Sequence, residues 1–161
     1  MIEKPNAVIK PYVDSNFGAF MQMVGVCFAD EYKIPLTDKQ LVGLCKEITQ
    51  SAKDGISFIA LLFVDNTSIG FIQYQVDSPK SDWCEKEGYG CIREMYIHKD
   101  NRKQGHGRTL ATHAENELKK LSVPYIYLTS DDVIDFWLSV GYFDTGDVCK
   151  KNGGNILVKR A

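Results

Sequence analysis

Residues 91–122 constrain this chain more than any other stretch. Cys91–Ile97 has the composition of a strand, and about Gly105–Ser122 has the period of an amphipathic helix. The helix places Leu110, Ala111, Ala114, Leu118 and Leu121 on one face, with Glu115 and Lys119 paired on another. The strand passes into the helix through a short turn carrying Arg102, Gly105 and Gly107. An apolar helical stripe of that length has to be buried against another element, and the alternation of strands and helices along the chain makes this a layered α/β (α+β) fold.

The same turn has chemical consequences. A helix N-terminus offers unpaired N–H groups and the positive end of a dipole. Glycines let a ligand approach the backbone without a Cβ in the way. With Arg102, Lys103 and Arg108 alongside, the turn reads as an anion site suited to a phosphate or pyrophosphate. Two familiar phosphate motifs do not fit. The third glycine of GxGxxG would fall on Leu110, and no acidic residue ends the next strand, so a dinucleotide fingerprint is disfavoured. The string GxxxxGK[ST] is absent. The alternative is a glycine-rich turn that binds nothing.

The rest of the chain supplies the layers. Ala7–Lys10 is a strand ended by Pro11, and Asp14 or Ser15 caps a helix to about Ala29. Thr37 with Gln40 opens a second helix whose stripe is Leu41, Leu44, Cys45 and Ile48, closed by Gly55. Ile56–Val64 and Ser68–Val76 are antiparallel strands joined at Asp65-Asn66-Thr67. Ser78–Gly90 is a loop. Tyr125–Thr129 is a strand, after which Ser130 caps a short helix with Val133, Phe136, Trp137 and Val140 inside and Gly141 as its stop. Tyr142–Cys149 and Ile156–Lys159 are the last strands. The order β-α-α-β-β-β-α-β-α-β-β describes a mixed sheet of about seven strands covered by about four helices; the resemblance described below implies that it is mostly antiparallel.

Composition narrows the function. In 161 residues, 44% are apolar and 25% charged, with 19 Lys+Arg against 21 Asp+Glu for a formal charge of −2. The length suits one domain over 1–161. A near-neutral chain lacks the basic surface of a nucleic-acid binder. The apolar run Ile59–Val64 is far short of the roughly 20 residues of a membrane span, and Met-Ile-Glu-Lys-Pro does not resemble a signal peptide. Cys27, Cys45, Cys84, Cys91 and Cys149 are odd in number and form no CxxC pair, so reduced thiols in the cytoplasm and no metal are expected.

Arg102-Lys-Gln-Gly105-His-Gly107 resembles the R/Q-x-x-G-x-G/A motif of the GNAT acyltransferase superfamily. Met95-Tyr-Ile97 resembles the L-x-V strand that precedes it there, and Phe136-Trp137-Leu-Ser-Val-Gly141-Tyr142 resembles the later F-Y-x-x-x-G-F segment. The resemblance implies a sheet splayed between Cys91–Ile97 and Tyr125–Thr129, with acetyl-CoA in the gap as co-substrate. It implies that the amides of Gln104, Gly105, His106, Gly107 and Arg108 hold the pyrophosphate, with Arg102 and Lys103 adjacent. It also implies that the main chain of Met95, Tyr96 and Ile97 meets pantetheine, and that Ser130 and Trp137 are later cofactor contacts. Ser130 stands where the family often has Asn.

The resemblance further implies direct transfer to a primary amine of a small molecule or peptide. An alkylamine near pKa 10.4 costs about 4.6 kcal/mol to present neutral at pH 7, so a base matters. Glu94, directly before Met95, is the candidate; a carboxylate merely paired with a neighbouring Arg or Lys is the other reading. Strand alternation puts Glu94 on the face opposite Arg93 and Cys91, the family's usual base positions, unless a bulge resets the count. The family's usual acid, a Tyr, is Trp137 here. Either the thiolate leaves unassisted, or the hydroxyl of Tyr142 or Tyr96 substitutes, or the chain is a CoA-binding regulatory or sensor domain without turnover. His98 and His106 are expected as exposed turn residues and His113 as solvated. Relatives are often dimers, and no segment here marks such an interface.

Overall fold

The computed structural model describes residues 6–161. Seven strands form one mixed sheet in the order β1-β2-β3-β4-β5-β7-β6, and four α-helices follow the expected order of elements. The contacts group into two compact units, the described part of Met1–Gln73 with Glu94–Leu110, and Tyr74–Arg93 with Ala111–Ala161.

In the first unit, β1 (Ala7–Pro11) runs antiparallel to β2 (Phe58–Val64), from Ala7↔Val64 to Pro11↔Ala60. β2 turns into β3 (Thr67–Val76) through Asp65 (φ 48°) and Asn66 (φ 67°). Two successive left-handed residues match the twist of a hairpin, and Asp and Asn tolerate that conformation best after glycine. Helix α1 (Phe17–Val26) is not capped by Asp14 or Ser15. Both lie inside a 3₁₀ turn, and the Asn16 side chain accepts from the Val13 amide at 3.2 Å. α1 does not stop at Ala29 either, but widens into a π-helical turn, Cys27–Glu31. Helix α2 (Asp38–Lys53) starts as its sequence requires, with the Gln40 amide donating to Thr37 Oγ1 (3.2 Å) and the Thr37 amide to Gln40 Oε1 (2.9 Å). Phe20, Met23, Val24, Cys27, Cys45, Ile59, Leu61, Phe71 and Tyr96 form the core of this unit. Gly70 is required there, since a Cβ would lie 2.5 Å from the Tyr96 carbonyl oxygen.

In the second unit, Gly90 and Cys91 of β4 (Gly90–Ile97) pair in parallel with Ile126 and Tyr127 of β5 (Tyr125–Ser130). β5 pairs antiparallel with β7 (Asn155–Arg160), whose other edge takes β6 (Phe143–Val148). Helix α3 is His106–Lys120 and α4 is Ile134–Ser139. Several expectations fail at element ends. Leu121 is half exposed beyond the end of α3, and Val133 is half exposed. Ser130 ends β5 rather than capping α4, whose N-cap is Val133. His113 is half-buried with its ring edge-on to Tyr74.

Asp77, 1% exposed, organises the 77–89 loop. Oδ2 accepts from the Glu85 and Lys86 amides (2.9 Å each) and from the Tyr127 hydroxyl (2.6 Å), and Oδ1 accepts from Gln75 Nε2 (3.1 Å). A buried carboxylate is tolerated when donors replace its hydration. Removing the acceptor strands four donors, so Asp77→Ala is expected to cost about 3 kcal/mol or more in urea unfolding. A loss below about 1 kcal/mol contradicts this anchoring role.

Candidate active site

The first unit contains the glycine turn. The His98 amide donates to the Ile69 carbonyl at 2.7 Å where β4 ends, and His98 Nδ1 accepts from the Asp100 amide at 3.2 Å. Lys103 (φ 61°) and Gly105 (φ 86°) are both left-handed. These two reversals turn the chain into α3. Thr109 is the first residue of α3 whose amide is satisfied helically, donating to the Gly105 carbonyl at 3.1 Å. The amides from Lys103 to Arg108 donate to no acceptor among the described residues. A Cβ on Gly105 would meet nothing within 4 Å, so this side of the turn is open. Consecutive unpaired N–H groups at the start of a 15-residue helix, with the exposed cations Lys103 and Arg108 beside them, make an anion cradle.

Arg102 does not act as the free cation that the sequence suggested. Its Nε donates to the Ile97 carbonyl (2.8 Å), its Nη2 to Glu31 Oε1 (2.5 Å), and its guanidinium lies 5.9 Å from the centre of the Tyr96 ring. The side chain ties the end of β4 to the π-turn. His98 and His106, expected as exposed, are half-buried.

Glu94, partly buried on β4, accepts a hydrogen bond from the Tyr32 hydroxyl. Alternation along the strand places it on the face of Tyr96, which packs into the core against Phe71 with ring centres 6.0 Å apart. Burial, and then the Glu94 carboxylate, push the Tyr32 phenol above its ordinary range. Burial also raises Tyr96. The thiol of Cys27 is pushed up to about 12, by burial first and by Glu94 and Glu31 next, so it is an inert core group at neutral pH. Among the described residues no cluster of His, Cys, Asp or Glu could hold a metal.

The second unit holds the remaining candidates. Trp137 is buried, edge-on to Phe136 (4.9 Å) and to Tyr142 (5.4 Å), which is a packing role. The Tyr142 hydroxyl donates to Glu115 Oε2 at 3.0 Å. Glu115 does not pair with Lys119 on an outer face of α3. It is 6% exposed and accepts from Lys159 Nζ at 3.1 and 3.2 Å, while Nζ also donates to the Val140 carbonyl at 2.9 Å. Ser130 Oγ is buried with no partner among the described residues.

A seven-stranded mixed sheet with β4 leading through a glycine turn into α3 is the arrangement that the sequence motifs implied. The sequence matches the Acetyltransferase (GNAT) family over residues 20–142, and the chain belongs to that family. No curated protein sequence matches it. The fold is similar to that of PaiA N-acetyltransferase from Thermoplasma acidophilum (TM-score 0.73, 15% identity, 97% of this chain and 99% of that one). It is also similar to ribosomal-protein-alanine N-acetyltransferase from Brucella melitensis (0.73, 15%, 96% and 99%). Aminoglycoside N-acetyltransferase AAC(6')-Iy shares it too (0.72, 11%, 92% and 95%).

The Tyr142 network has a pH signature. Burial, followed by the Glu115 carboxylate, raises the phenol above its ordinary value near 10. Its stabilising contribution is therefore complete below about pH 10 and is lost as pH climbs beyond, because the unfolded chain releases its proton first. Urea unfolding from pH 9 to 11 should show wild-type stability falling, and Tyr142→Phe falling less steeply. Equal slopes contradict the assignment.

Proposed function

We propose that the chain is a single N-acetyltransferase domain over 1–161 that binds acetyl-CoA and passes the acetyl group directly to a primary amine. The observation that carries this reading is the open row of amides from Lys103 to Arg108. The geometry fits a diphosphate: the donors are main-chain, so no side chain has to be ordered, and two exposed cations flank them. The PaiA enzyme and AAC(6')-Iy were both solved in complex with CoA, which supports the same ligand here. In this reading Gln104–Arg108 hold the diphosphate and the main chain of Met95 and Ile97 meets pantetheine. The Met95 amide polarises the thioester carbonyl. Ser130 and Trp137 enter by motif position, Ser130 with a hydroxyl that has no acceptor of its own.

Glu94 takes the proton from the ammonium form of the acceptor. The neutral nitrogen then attacks the thioester carbon and the C–N bond forms; as the adduct collapses the C–S bond breaks to release thiolate, and the second proton on nitrogen passes to solvent. Leaving unprotonated costs about 2 kcal/mol for a thiol with pKa near 8.5. The Tyr142 hydroxyl is engaged by Glu115 and Trp137 has no titratable group, so unassisted departure is the route these residues favour. Exposed Asp30 on the π-turn suits a cationic acceptor. Aminoglycosides and the alanine of a ribosomal protein, named for two similar structures, illustrate the range of amines. All five cysteines are free thiols, in keeping with a reducing cytoplasm, and no helix among the described residues is long and apolar enough to cross a membrane.

Steady-state thiol release with spermidine, kanamycin, lysine and an alanine-initiated peptide tests the activity. Glu94→Gln should lower turnover about 100-fold with acetyl-CoA affinity unchanged, and wild-type rates remove Glu94 as base. Gly107→Asp, which adds bulk and negative charge at the cradle, should abolish acetyl-CoA binding by calorimetry. Full affinity in that variant overturns the cradle. Tight binding without release for any amine favours the sensor reading, which the replacement of a titratable Tyr by Trp137 motivates.

A further inference from the structure

We infer that Tyr32 is a positioning residue for Glu94, orienting its carboxylate and keeping it ionised so that it can accept a proton. This rests on the reading of Glu94 as the base. The π-turn Cys27–Glu31 inserts extra chain at the end of α1, and the Tyr32 amide closes it onto the Cys27 carbonyl, five residues back, at 3.4 Å. Turns of this kind are frequent at functional sites. The next residue, Lys33, is left-handed (φ 57°), and the Ile34 amide returns to the Phe28 carbonyl at 2.9 Å. The Tyr32 ring stands edge-on to Phe28, with centres 5.1 Å apart. On its other side, Glu31 is tied to Arg102. Tyr32 is thus fixed from both directions along the chain and by its ring, and its hydroxyl donates to Glu94, 62 residues away.

Such fixation is more than a solvated pair requires. Tyr32 is 42% exposed as a residue, yet its hydroxyl is held on Glu94. Tyr32 and Cys27 on the π-turn both couple to the Glu94 carboxylate, and Glu31 and Arg102 couple in turn to Cys27, with Asp30 and Tyr96 in the same neighbourhood. The Cys27 thiol is protonated at neutral pH, and Arg102 is paired with Glu31. Tyr32 offers Glu94 a donor hydrogen from a fixed position. A hydrogen bond of this kind stabilises the charged form of a carboxylate.

The test uses the full chain labelled with 13C at the Glu carboxyl carbons, with Glu94→Gln assigning the Glu94 resonance. Tyr32→Phe keeps the ring against Phe28 and removes the hydroxyl. The Glu94 titration midpoint should rise by about one pH unit, a tenfold change. With the fastest acceptor of the amine panel, thiol release measured on the acidic limb of the pH profile should fall about tenfold, with that limb moved up by about one unit and KM for acetyl-CoA unchanged. Tyr32→Phe should add nothing in the Glu94→Gln background. An unmoved midpoint overturns the inference while an inactive Glu94→Gln variant leaves the base reading intact. An equal loss from Tyr32→Phe in both backgrounds also overturns it, since Tyr32 would then act independently of Glu94. Wild-type turnover by Glu94→Gln removes the base and the positioning role together.

Discussion

Arg102 spends its guanidinium on the protein itself. With Nε on the Ile97 carbonyl and Nη2 on Glu31, it fixes where β4 ends, where the π-turn lies, and where the chain begins its left-handed path through Lys103 and Gly105. A partly exposed ion pair contributes little to stability, so its value is geometric. The consequence is chemical: the anion cradle is built from main-chain amides, and its positive side chains are Lys103 and Arg108. An amide cradle is already oriented before the ligand arrives, which is the form of recognition that costs least in ordering.

The second unit shows two solutions to burying a carboxylate. Asp77 is surrounded by four uncharged donors and pins a loop. Glu115 is neutralised by Lys159 and bonded by Tyr142, tying α3, β7 and the segment after α4 together. Both are scaffolding. Tyr142 therefore belongs with the groups that hold this unit, and the chemistry proposed for the protein falls on the first unit, where Glu94, Met95 and the cradle lie close in sequence.

What was legible in the sequence was local. The Thr37–Gln40 box, the Asp65-Asn66 turn, the Gly141 stop (φ 103°) and the glycine turn before α3 each carry their instruction within a few residues. What was missed depends on distant partners. Glu115 and Lys119 have the spacing of a helical pair, but the partner that decides is Lys159, 44 residues away. A signal was available, since Glu115 follows Ala111 by four residues and adjoins Ala114 on the buried stripe. Ser130 carries the chemistry of a helix cap, yet pairing with Asn155 keeps it in β5. The π-turn and the Tyr32–Glu94 contact had no local signature, because nothing in Cys27–Tyr32 departs from ordinary helix-forming chain except its destination. Arg102 was assigned to phosphate by its motif position, and its contact with Glu31, 71 residues earlier, was beyond the reach of pattern.

The chemistry proposed for this site requires the amides from Lys103 to Arg108 to form a seat for the diphosphate of a coenzyme. An amide NMR titration with coenzyme A, run beside one with pantetheine, which lacks the diphosphate, tests it. Coenzyme A should give saturating downfield shifts of the Gly105, His106, Gly107 and Arg108 amides, and pantetheine none there. Amides that stay in place at millimolar coenzyme A, or that respond equally to both compounds, would contradict it.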